Sequence, residues 1–250
     1  MHFAGDALAV LQREMLRYRR DRAYWVGQLA FPLAAVAFIG FGLNDVVSLP
    51  TGADYVGHLA SGMLALVVGS AGVGGGMTLI QDRESGFLRA LLVAPISRGA
   101  VVAGKMLSRV IASLLLVAVQ VVLLATFTPL AVPHAGAVLL AVVAITVSFV
   151  ALGITLGTVL RSAESYRLIA GLVTVPLYLL SGIFYPVATL PFLTRVLSWA
   201  NPLTYGVDLL RYGLLGVSEI PPTLSAALLA LLTAACAVAA VAVFERGSRG

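Results

Sequence analysis

Charge is what this chain has least of. Asp, Glu, Lys and Arg make up 11% of its 250 residues, against about 25% in an ordinary soluble domain. Six long stretches contain none of the four: residues 25–43, 57–79, 110–130, 135–160, 168–185 and 223–244. A chain that is 60% hydrophobic has too little polar surface to cover a water-soluble globule. Each stretch is near the ~20 apolar residues that carry a helix across a ~30 Å hydrocarbon layer. A membrane barrel would show alternating segments of about ten residues instead. The predicted fold class is therefore all-α integral membrane, with six transmembrane helices.

Other absences narrow the function. Cys236 is the single cysteine, which excludes an intramolecular disulfide and a CxxC metal site. There is no HExxH, no GxSxG serine elbow and no His/Cys cluster, so the sequence offers no catalytic set and no metal site. The glycine run at residues 72–76 lacks the Lys-Ser/Thr of a phosphate loop and sits inside an apolar stretch. No carboxylate lies inside any of the six stretches, whereas proton-driven carriers keep ionisable groups at mid-depth. No internal repeat of the kind many secondary carriers show is evident, and no basic stretch interleaved with aromatics suggests nucleic acid. The first apolar stretch lacks a small-x-small cleavage site and is expected to be a retained span.

The basic residues are concentrated where the acidic ones are not decisive. Fourteen of the sixteen Lys and Arg fall before the first stretch, in alternate gaps, or after the last; Arg195 and Arg211 alone lie on the other side. The positive-inside rule then places both termini in the cytoplasm of a multi-pass protein of the cell membrane. Within residues 1–24, Leu8, Leu11, Met15 and Tyr18 recur at helical spacing, which predicts an amphipathic helix in the cytoplasmic interface; the plainer alternative is a solvated basic lead-in. In the gap after the second stretch, Leu88, Leu91 and Leu92 share a helical face beside Phe87, and Pro95 stops the helix. Such a face serves either to rest on lipid or to dock another protein.

Residues 181–222 are too apolar for a solvated loop and too broken by Pro186, Pro191 and Pro202 for one span. Short helices that re-enter or lie on the outer surface are expected, with Trp199, Tyr205 and Tyr212 at headgroup level. Asp208 and Arg211, three apart, are placed to pair on one of these helices, or to form an ordinary exposed ion pair. Gln120, Thr126, Thr146, Ser148, Thr155 and Thr174 are the polar groups inside the stretches. They either line a path for an amphipathic molecule or, the favoured reading, hydrogen-bond their own or a neighbouring helix. Gly72/Gly76 and Gly153/Gly157 are small-x-x-x-small pairs that predict close helix packing.

Two motifs carry a resemblance to a known family. The run DRESGFLRALLVAPISRGAVVAGK, residues 82–105, and the runs SGIFYPVATLP and NPLTYGVDLLRYGLLG, starting at Ser181 and Asn201, are similar to the cytoplasmic loop and outer hairpin of ABC-2 type transporter permeases, the membrane subunits of drug and polysaccharide exporters of the daunorubicin-resistance kind. The resemblance implies one transmembrane domain over residues 1–250: a cytoplasmic helix at 1–24, six spans over 25–244 and a tail at 245–250. It implies a second permease subunit, as homo- or heterodimer, and two copies of an ABC ATPase that hold ATP and Mg; this chain would bind no cofactor. The ATPase-docking, or coupling, residues it points to are Glu84, Gly86, Phe87, Leu88, Arg89, Leu91 and Leu92, with Pro95, Arg98 and Lys105 completing the motif. Asn201, Pro202, Tyr205, Asp208 and Arg211 would form an outer gate, and Gln120, Thr146, Ser148 and Thr174 a possible pathway. Spans poor in aromatics favour a drug-like or lipid-like cargo over a polysaccharide. The rival readings are a secondary carrier or passive channel and, less favoured, a membrane-embedded lipid-modifying enzyme.

Overall fold

A computed structural model describes residues 3–49, 52, 54–85, 98–128 and 131–247. Among them there are helices and no strand: α1 Phe3–Arg20, α2 Arg22–Leu43, α3 Tyr55–Glu84, α4 Arg98–Leu124, α5 Ala135–Val159, α6 Ala163–Leu180, α7 Phe192–Trp199, α8 Pro202–Leu215 and α9 Pro222–Gly247. Helix starts follow local chemistry. Asp21, Asp54, Ser162 and Asn201 each accept a backbone N–H of the first turn they precede, satisfying donors that the helix itself leaves orphaned. Pro202 at the first position and Gly216 in the left-handed region (φ 74°) bracket α8. In α2, Pro32 cannot donate to the ladder, and a π turn follows at Val36–Gly40.

Five helices, α2 to α5 and α9, are long and apolar enough to cross a membrane. The fifth of the six expected spans departs from the prediction. Its helix starts earlier, taking Glu164 and Arg167 into its opening turns, and stops at Leu180, before Gly182 turns the chain at φ 82°. At 18 residues α6 is only about 27 Å long. It buries a single stripe, Tyr166, Ala170 and Thr174, and leaves Leu168, Leu172, Val175 and Leu179 exposed.

The centre of the bundle is α3, which packs against α5, α4, α8, α2 and α6 and buries nearly every residue of its first four turns. Its approach to α5 is made by the two glycine pairs. A Cβ on Gly153 would lie 2.5 Å from the Val73 carbonyl oxygen, one on Gly157 2.7 Å from that of Gly76, and one on Gly76 would fall on the Gly153 carbonyl. Only bare backbone permits this crossing, as the small-x-x-x-small spacing predicts.

The segment after α6 folds as a 3-10 turn, Val187–Thr189, followed by the α7–α8 hairpin. The two helices differ. α7 leaves Phe192, Leu193 and Trp199 exposed, whereas α8 is buried along most of its length. Gly213 sits against His134 and Val138, and Gly206 against Ile145. His134 and Ile145 are about 16 Å apart along α5, so α8 lies beside α5 with its N-terminus the deeper end. Of the short helices expected here, α8 is thus buried in the bundle and α7 is largely exposed.

Candidate functional site

Two buried charge clusters occupy opposite ends of the bundle. At the arginine-rich end, Lys105 on α4 is the hub. Its ammonium lies 2.6 Å from Asp82 Oδ2 on α3, 3.0 Å from Glu14 Oε1 on α1 and 3.2 Å from Thr78 Oγ1. Arg13 closes the ring, 2.7 Å from Asp82 Oδ1 and 3.5 Å from Glu14 Oε1. Lys105, Asp82 and Glu14 are all at most 3% exposed. One turn along α4, Arg109 donates to the Ala71 carbonyl at 3.0 Å and lies 4.9 Å over the Tyr18 ring, a cation–π contact. Burial pushes the Tyr18 phenol well above its ordinary range, against the pull of that guanidinium. Arg17 reaches Gln81, and Arg83 donates to carbonyls of Gly157, Thr158 and Leu160, closing the end of α5.

The sequence allows this because the charges sit at helical spacing just past the apolar runs. Thr78 and Asp82 share a face of α3, Lys105 and Arg109 a face of α4, and Glu14 stands between Val10 and Tyr18 on α1. Gly104 lets α1 close in: a Cβ there would be 2.7 Å from the Ala7 carbonyl and from Val10. The face of α1 that docks on the bundle is thus Val10, Glu14 and Tyr18; of the predicted apolar stripe it shares Tyr18, while Leu8 is exposed and Leu11 and Met15 are half-buried. The pairing of Glu14, Asp82 and Lys105 escaped the sequence reading. Its signal was present in the four-residue spacing that puts Glu14 on an otherwise apolar face.

At the opposite end, the expected Asp208–Arg211 pair does not form. Arg211 instead lies 3.2 Å from Glu219 and from His58 Nε2, and donates to the Gly182 carbonyl at 3.0 Å. Asp208 accepts the Glu219 amide at 2.7 Å and the Ser225 hydroxyl at 2.8 Å. Two side chains on one helix turn to different neighbours because both are buried, at 4% and 2% exposure, and each has loop backbone to satisfy. Beside them lies a cavity of about 280 Å³ lined by Arg195, Trp199, Thr204, Asp208, Arg211 and Glu219 among others. Asn201 caps α8 and also donates to the Leu177 carbonyl at 2.7 Å, while Tyr205 donates to that of Trp199 at 2.7 Å. These bonds tie α8 to α6 and α7, and Pro202 opens α8.

Of the residues assigned to docking, Gly86, Phe87, Leu88, Arg89, Leu91, Leu92 and Pro95 lie outside the described residues. Glu84 is exposed at the end of α3, and Arg98 begins α4. Lys105 is not on a docking surface: it is committed to Asp82 and Glu14 in the interior. The pathway candidates are dispersed. Thr146 and Thr174 bond carbonyls of their own helices, and Ser148 lies 2.9 Å from Thr233 of α9. Gln120, fully buried on α4, has no partner for either amide atom among the described residues.

This architecture has known relatives. The chain is similar to the inner membrane transport permease YadH of Escherichia coli (strain K12), 26% identical over 227 residues that cover 88% of each chain. It is 30% identical to nodulation protein J of Rhizobium leguminosarum bv. viciae over 216 residues, 84% of this chain and 82% of the other. To the putative transport permease ycf38 of Porphyra purpurea it is 28% identical over 210 residues, 82% and 72% of the two chains. Proteins of this kind are transport permeases that work with ABC ATPase partners and are not themselves enzymes. Residues 6–215 match the family described as ABC-2 type transporter, and the chain belongs to that family as a multi-pass membrane permease.

Proposed function

We propose that this permease is half of the membrane pore of an ATP-driven exporter. It pairs with a second permease subunit, the same or a close relative, and is powered by two ATPase subunits that bind ATP and Mg. In this reading α6 makes a sixth crossing, and the termini and residues 86–97 lie in the cytoplasm, where fourteen of the sixteen basic residues gather. The cargo is a drug-like or lipid-like amphipath, in keeping with spans that are poor in aromatics.

The observation that carries the proposal is the Lys105 hub. It binds α1 and both helices that flank residues 86–97 into one body, so a push from an ATPase on the ends of α3 and α4 moves α1, α3 and α4 together. The glycine crossing passes the motion from α3 to α5, and α8 rests on both. The Lys105 hub and the hairpin are thereby joined by rigid-body coupling of packed helices, while the energy comes from the ATPase's different affinity for ATP in two conformations. Glu84, exposed at the root of the loop, is the accessible handle. In a complex reconstituted with the ATPase that co-purifies with it, Glu84→Lys is expected to insert and fold normally but to lose cargo-stimulated ATP hydrolysis. Normal stimulation in that variant would overturn the coupling role. Transport by the isolated chain, driven by an ion gradient, would overturn the exporter.

A further inference from the structure

The face of α1 turned away from the Lys105 hub is also structured. Leu11, Met15 and Leu16 of α1, Trp25 of α2 and Leu115 of α4 line an open groove of about 850 Å³, with Arg19 at its edge. That volume is within the range of small-molecule sites. The groove is held open by fixed bonds. The Trp25 indole donates to the Tyr18 carbonyl at 2.9 Å, and Asp21 caps α2 at the corner between the two helices. Leu115 belongs to the apolar, outward face of a spanning helix and is 47% exposed. The groove thus runs from the corner where α1 meets α2 down onto a surface that faces hydrocarbon.

Its rim is cationic. Arg19, Arg20 and Arg22 cluster at that corner. Unlike Arg17, Arg83 and Arg109, none of the three makes a hydrogen bond or ion pair among the described residues. On α1 the helical period sets Arg19 beside Leu8 and Met15, on the groove side, and Arg13, Arg17 and Arg20 on the other. An apolar trough open to the acyl region, with an unpaired guanidinium at headgroup height, fits one class of occupant.

We infer that this groove binds a single anionic phospholipid of the leaflet at the arginine-rich end, one acyl chain lying along Leu115 and Trp25 and the phosphate meeting Arg19. Arg offers a planar donor pair matched to phosphate oxygens. The bound lipid would fill the space between α1 and the bundle and hold α1 at the membrane surface. The inference is independent of the exporter reading, because it needs no ATPase, cargo or second subunit.

The test is native mass spectrometry of the purified full chain, titrated with phosphatidylglycerol or phosphatidylcholine in detergent. The wild type is expected to retain one phosphatidylglycerol in preference to phosphatidylcholine. Arg19→Gln, at an exposed position, should reduce that preference about fivefold, the equivalent of roughly 1 kcal/mol per basic residue near a surface. Leu115→Trp, which fills the trough without altering charge, should weaken retention of both lipids with thermal unfolding unchanged. Arg246→Gln, in the basic tail of α9, should change neither. Equal retention of the two lipids, an undiminished preference in Arg19→Gln, or full retention in Leu115→Trp would each overturn the inference. So would a dimer that Leu115→Trp dissociates, since a second copy would then be the occupant.

Discussion

The two ends of the bundle bury charge for different purposes. At the arginine-rich end, side chain meets side chain: Lys105 holds Asp82 and Glu14 from two other helices. At the hairpin end, side chain meets backbone as well: Asp208 and Arg211, from one helix, satisfy the Glu219 amide and the Gly182 carbonyl of the turns around them, and also reach Ser225 of α9, the Glu219 carboxylate and His58 of α3. The first arrangement joins rigid elements across long sequence separations. The second fastens loop backbone to one helix, α8, and ties that helix to α3 and α9. Buried charge in this molecule is thus a fastener in both places, and what it fastens decides how a defect spreads.

That contrast is sharpest in substitutions, taken from the largest expected effect down. Lys105→Met leaves two buried carboxylates with only the half-exposed Arg13 as their cation and should destabilise the protein by about 4 kcal/mol, as breaking other buried pairs does. Thermal unfolding in detergent would register this, and protease sensitivity should appear first at α1. Arg211→Met should cost about 3 kcal/mol, with accessibility rising in the α7–α8 hairpin while α1 stays docked. If both variants loosen the same helices, the distinction between the two ends is lost. Gly76→Ala tests the link between them; its Cβ would strike the Gly153 carbonyl, and overpacking of this sort costs roughly 1–3 kcal/mol. Cross-linking between α3 and α5 should fall accordingly.

Two smaller effects refine the comparison. Exchanging Asp208 and Arg211 should be no better than either single charge reversal, because the two do not pair with each other; recovery of stability in the exchange would restore the simple ion pair. Thr146→Val should change stability by less than about 0.5 kcal/mol, since its hydroxyl bonds only the carbonyl one turn back on its own helix. A large loss of transport with intact folding in Thr146→Val would instead place that hydroxyl in the cargo path.

Much of the fold was legible in the residues because its rules are local or depend on the solvent. Absence of charge over about twenty residues marks a span whatever the span packs against, and α2, α3, α4, α5 and α9 answer to that rule. The glycine pairs on α3 and α5 were readable for the same reason: four-residue spacing places them on one face. The α6 segment was less legible. Its length was judged from the apolar run, but Ser162 starts the helix earlier and Gly182 ends it sooner, so capping outweighed hydropathy. At the candidate sites, Glu84 is exposed at the end of α3, whereas Lys105, which the motif groups with it, is interior.

The amino-acid order alone determined that this polypeptide is a multi-pass membrane protein and where most of its long helices run, because each follows from burial or from hydrogen bonding within a few neighbours. Which charges meet was decided by tertiary structure. Glu14 and Lys105 are 91 residues apart and meet only when α1 crosses α4 at Gly104. Arg211 prefers His58, 153 residues away, to the aspartate three positions before it. In a low-dielectric interior a charge is stabilised by whichever partner the packing brings within reach, and sequence distance does not enter that energy.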